Sequence, residues 1–157
     1  MAADRDFAPD EWRRIEAAPY MAGLAVTYSD LSAKRGIADE AEATGEAIKA
    51  GASSSSEIVR TLAARFTDGQ RPTLPRIPNQ PSEAQPALID GCKAAWELVK
   101  AKAPGEADAY ARFLLDAAKG ASSGAREGGF IGIGIAKVSE KEQAALAALA
   151  LALGLPF

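Results

Sequence analysis

From Tyr110 to Ala121 the residues Tyr110, Phe113, Leu114, Ala117, Ala118 and Ala121 recur at the spacing that gathers side chains on one side of an α-helix. The same period runs through most of the chain. Trp12 and Ile15 begin an apolar stripe, and Met21, Leu24, Ala25 and Tyr28 continue one. Ile58, Val59, Leu62, Ala63 and Phe66 form another, and Leu88, Cys92, Ala95, Trp96 and Val99 a further one. Strand-like alternation is confined to 130–136. These patterns predict an all-α fold, a single-domain helical bundle over residues 1–157 with about six or seven helices. Abundant alanine and only 6% aromatic residues suit helices that pack closely.

Local signals place the boundaries. Pro9 with Asp10 and Glu11 marks a helix start, and Pro19 is expected to kink or restart that helix. A helix over about 37–50 ends near Gly51, and the serine run 53–56 caps the next. Five prolines over 67–86 predict an extended connector, with Leu74 and Ile77 able to pin it to the core. Pro75-Arg76-Ile77-Pro78 also fits a PxxP ligand pattern. Ser139 with Glu142 three residues on forms a capping box, and the apolar run after it predicts a central, buried last helix. Tyr20, Leu24 and Ser32 share offsets with Tyr110, Leu114 and Ser122, an echo consistent with two pseudo-repeated halves.

The chain contains no histidine, which removes the commonest general acid/base and metal ligand together. Ser–His and Cys–His nucleophiles are excluded, and one cysteine, Cys92, rules out thiolate zinc and iron–sulfur sites within one chain. Tyr20, Tyr28, Tyr110 and Cys92 lie on the apolar stripes, so core roles are expected for them. Eighteen basic and twenty-one acidic residues, net charge −3, argue against nucleic-acid binding. The N-terminal stretch lacks the basic-then-apolar order of a secretory signal, and the longest apolar run, 144–155, falls short of the ~20 residues that span a bilayer. A reduced, cytoplasmic protein without a membrane span is expected.

The stretch 127–143, EGGFIGIGIAKVSEKEQ, strings Phe130, Ile131, Ile133 and Ile135 between glycines. Gly132 and Gly134 supply two glycines of a dinucleotide fingerprint, but position 137 is Lys. Lys137 lies between Ala136 and Val138, so it does not complete a Walker loop either. What remains is peripheral membrane contact or, favoured here, a buried connector or oligomer interface in which Phe130, Ile131, Ile133 and Ile135 meet a partner.

Carboxylates are the remaining chemical candidates. Asp30, Asp39, Glu40 and Glu42 gather around the start of the 37–50 helix, oxygen donors suited to calcium or manganese, against the simpler reading of a solvated acidic face. An apolar helix, an acid- or serine-bearing loop and a helix opening VSEKEQAALAALALALGL together resemble the tellurite-resistance TerB-type family over 20–48 and 110–155, with Leu31 and Gly120 where that signature carries Gly and Asp. The resemblance implies two related helical halves and a carboxylate-bound divalent cation. Two functions are therefore expected from the sequence. The first is a non-enzymatic helical interaction or structural module, homo-oligomeric or bound to a protein partner and without a cofactor. The alternative is a divalent-cation-binding stress-response protein of the TerB type.

Overall fold

A computed structural model describes residues 6–29, 37–127 and 139–156, with the backbone alone at 37–41 and 123–127. The described residues form six α-helices and no strand: α1 (Pro9–Ser29), α2 (Ile37–Ala50), α3 (Glu57–Thr67), α4 (Pro81–Lys102), α5 (Ala107–Glu127) and α6 (Glu140–Ala152). Single 3₁₀ turns, Gly51–Ser53 and Pro104–Glu106, follow α2 and precede α5. The all-α expectation and the 37–50 helix stand as read. One apolar cluster contains side chains from all six helices. None of the described helices is long and apolar enough to cross a membrane.

Helix α1 is the axis of this arrangement, packed chiefly on α4 and α5 and also touching α2 and α6. Pro9 occupies its first position, where a missing N–H costs nothing. Glu11 reaches back to the Ala8 N–H at 3.0 Å, and Phe7 stacks on Trp12 with ring centroids 5.9 Å apart. A polar and an apolar clasp thus fix the entry of the chain.

Pro19 does not restart the helix, one of the two outcomes expected of it: α1 runs through it from Pro9 to Ser29. Proline has no N–H to give the carbonyl one turn back, that of Ile15. Tyr110 of α5, fully buried, supplies the donor instead, its hydroxyl lying 2.9 Å from the Ile15 oxygen. The Cys92 thiol of α4 donates to the Ala18 carbonyl at 3.4 Å. The carbonyl that Pro19 leaves free thus docks α5, and a neighbouring carbonyl of the same turn takes the thiol of α4.

Small residues let α2 come close on two sides. A Cβ at Gly23 would lie 2.7 Å from the Thr44 hydroxyl oxygen, and one at Gly120 would lie 2.9 Å from the Ala43 carbonyl. Helices α1 and α5 thus pack against α2 at points where any side chain would force them apart.

Helix α3 is capped as the serine run implies, by Ser56, whose Oγ accepts the Val59 N–H at 3.1 Å. Glu106, from the turn before α5, accepts the Ser56 hydroxyl at 2.7 Å and the Ile58 N–H at 2.9 Å. Orphan donors of α3 are thereby met across the fold.

Within the proline-rich connector, Leu74 and Ile77 pack on the core as expected, and the Arg71 guanidinium lies 3.9 Å from the Phe66 ring centre. The extended stretch is shorter than 67–86. Thr67 closes α3, and α4 starts at Pro81 and includes Pro86. Pro81 takes the first helical position, and Pro86 and Ser82 are exposed, so water can serve the carbonyl that Pro86 leaves unbonded.

Helix α6 carries the predicted capping box, with Ser139 Oγ 3.1 Å from the Glu142 N–H and the Glu142 carboxylate 3.0 Å from the Ser139 N–H. Gly154, at φ 67°, ends it: the Gly154 N–H returns to Leu151 and the Leu155 N–H to Ala150. The expectation of a central buried helix is overturned. Ala145, Leu146, Leu149 and Ala150 are buried, whereas Ala144, Ala148 and Leu151 face outward.

Candidate functional site

The predicted carboxylate site is only partly visible. Asp30 lies outside the described residues. Asp39 and Glu40 fall in the first turn of α2, where the backbone alone is described. Glu42 is exposed, and one turn further Glu46 pairs with Lys49 at 3.3 Å on the solvent side. Among the described residues no three or more His, Cys, Asp or Glu side chains gather as a metal would need. Phe130, Ile131, Ile133 and Ile135 also lie outside the described residues.

Among the described residues, Cys92, Tyr110, Glu11, Glu106 and Glu142 are held in structural roles. Cys92 is fully buried, and the cost of placing a thiolate there pushes its pKa up to about 12. Burial also raises the Tyr110 phenol far above its ordinary value, so both groups stay neutral donors to α1 carbonyls. Tyr20, the counterpart of Tyr110 in the sequence echo, is half-buried and meets Phe66 edge-on, so the two tyrosines have different surroundings. Glu106 and Glu142 cap helices. Glu11 binds Lys102 at 2.6 Å, which holds its carboxyl below the usual range and ties the start of α1 to the end of α4.

Among the described residues, two surface features stand out as uncommitted. The first is the outer face of α6. Leu151 is 81% exposed, alone among the large apolar side chains of the described residues. Ala144 and Ala148 extend the same face over two further turns. The second is a groove of about 430 Å³ between the end of α2, the following turn and α5. Ala47, Ala50 and Ala109 form its walls, Val59 and Phe113 its base, and Arg112 and Asp116 stand on its rim. A smaller hollow of about 220 Å³ on the other side of Arg112 and Asp116 reaches Leu155 and Pro156.

Neither feature was singled out from the sequence. The run AALAALALAL is apolar all round, so nothing in it marks which side stays open. Arg112 and Asp116 were legible in principle as the polar side of the helix whose apolar side carries Phe113 and Leu114.

Comparison with protein-family models, with curated proteins and with solved structures finds no match.

Proposed function

We propose that this chain is a non-enzymatic helical interaction module, and that it meets a protein partner, in the simplest case a second copy of itself, through the outer face of α6. The observation that carries this reading is Leu151. A capped and otherwise apolar helix holds its inner side chains in the core and leaves a leucine 81% exposed on the opposite side. Covering a leucine side chain is worth about 1.5–3 kcal/mol, which an unpartnered chain forgoes. Ala144 and Ala148, on the same face, let a partner backbone approach closely. No catalytic step is needed: the buried thiol and phenol are already bonded to helix carbonyls.

Light scattering over a concentration series, on the wild type and on Leu151→Glu, tests the reading. The wild type is expected to associate and the variant to remain a monomer with unchanged helicity and, at low protein concentration, an unchanged melting temperature. Association that survives Leu151→Glu, or a wild type that stays monomeric throughout, would count against it. Native mass spectra before and after EDTA address the TerB-type alternative. A divalent ion lost to EDTA would shift the assignment to Asp30, Asp39, Glu40 and Glu42.

A further inference from the structure

We infer that the groove between α2 and α5 binds a short zwitterionic peptide of about dipeptide length through an apolar side chain and both charged ends. This stands apart from the role assigned to α6, because it concerns another surface and another class of ligand. The volume of about 430 Å³ falls within the roughly 300–1,000 Å³ typical of small-ligand sites. Its base is firmly built. Val59 and Phe113 are themselves core residues, and they close over Gly51 so tightly that a Cβ there would lie 2.8 Å from Val59 and 2.9 Å from Phe113. An apolar side chain entering the groove meets chiefly the methyl groups of Ala47, Ala50 and Ala109, held over the packed floor of Val59 and Phe113.

The rim supplies two opposite charges. Arg112 and Asp116 are exposed, one helical turn apart, and neither makes an ion pair or side-chain hydrogen bond with another described residue. Their order along α5, cation before anion, is the one that pairs less well across a helical turn. The guanidinium fork of Arg112 matches a terminal carboxylate, and Asp116 matches a terminal ammonium.

Spacing sets the ligand length. Side chains one turn apart have Cβ atoms about 5–6 Å from each other. An extended chain advances about 3.3–3.6 Å per residue, so two residues place their terminal charges at a comparable separation, whereas one residue holds them closer together. Ser54, also in the lining, accepts the Ser56 N–H at 3.1 Å and keeps its own hydroxyl hydrogen for a ligand carbonyl. Exposed charges contribute little singly, so affinity depends on the apolar base and both ends acting together.

The test is a titration of the full chain, followed by backbone amide chemical shifts, with the dipeptide Leu-Phe. Its N-acetylated, C-amidated form and free leucine serve as comparison ligands, and Arg112→Gln and Asp116→Asn as variants. Both variants alter exposed side chains, and an otherwise unchanged spectrum verifies their fold. Expected are saturable shifts at Ala47, Gly51, Ser54, Arg112 and Phe113. Binding should weaken by up to about fivefold in either variant, the scale of a single exposed charge pair, and by more for the blocked peptide, which loses both charged ends. Absent or non-saturating shifts would overturn the inference. So would binding indifferent to both variants and to blocking, or free leucine binding as tightly as the dipeptide.

Discussion

Helices α1 and α6 invert what their own sequences suggest. Helix α1 contains a proline at its centre, yet it is the axis on which α4 and α5 pack. Helix α6 has no internal breaker, is capped at both ends and is apolar nearly all round, yet only one side of it is covered. Local chemistry decides whether a helix forms. Its place in the fold is decided by groups far away in the chain. For α1 those groups are Tyr110 and Cys92, which bond to its carbonyls around the proline. No described side chain covers the outer face of α6 in the same way.

The largest effect should come from opposite faces of α6. Leu149 is fully buried, so Leu149→Ala is expected to cost about 2–5 kcal/mol in urea unfolding. Leu151→Ala, at low protein concentration, should stay within about 0.5 kcal/mol of the wild type. Equal costs would erase the distinction between the two faces.

Next comes the bond that lets Pro19 sit within α1. Tyr110→Phe leaves the buried Ile15 carbonyl without its donor and should cost about 1–3 kcal/mol. In a Pro19→Ala background the backbone supplies its own N–H, so the same substitution should cost clearly less. Additive costs in this double-mutant cycle would show that the hydroxyl does not compensate for the proline.

Cys92 makes the core sensitive to alkali. Its folded pKa is raised to about 12, so its contribution is complete below the pKa of the unfolded thiol and is lost as pH rises toward the folded value. Melting temperature should therefore fall more steeply above about pH 9 in the wild type than in Cys92→Ala, given an unfolded thiol pKa near 8.5. Parallel curves would contradict this.

Smaller effects are expected at the helix ends. Glu106→Ala removes the acceptor shared by Ser56 and Ile58 and should lower stability by about 1 kcal/mol in thermal unfolding, the usual scale of a cap. An unchanged melting temperature would show that α3 does not depend on this distant cap. The smallest concerns Glu11, whose carboxyl pKa is lowered chiefly by Lys102 and then by the Ala8 N–H. A depressed folded pKa stabilises above the unfolded value, and that contribution is lost as pH falls through the folded one. The difference in melting temperature between wild type and Glu11→Gln should accordingly vanish in acid. A difference that persists there would have another origin.

Much of this fold is legible in short stretches of sequence. The apolar faces of α3, α4 and α5, the Ser56 cap, the Ser139–Glu142 box and the bounds of α2 depend on residues within a turn or two of one another, where periodicity and capping act. The misread features depend on distance. Pro19 looks like a restart unless Tyr110, whose hydroxyl serves the Ile15 carbonyl one turn back, is known to lie against it. The run of α6 has no polar side to orient it, and Pro86 is tolerated in α4 because it faces solvent. The candidate sites follow the same division. Arg112 and Asp116 could be recognised as one polar side of α5, but the groove beneath them needs Val59 and Gly51 from other parts of the chain.

Hydrogen exchange tests the place of α6 most directly. At low protein concentration, amides of 144–151 should exchange faster than those of 15–25 in α1. Raising the concentration should slow them selectively in the wild type and leave Leu151→Glu unchanged. Exchange in α6 as slow as in α1, and independent of concentration, would contradict both its half-covered position and its role as the contact surface.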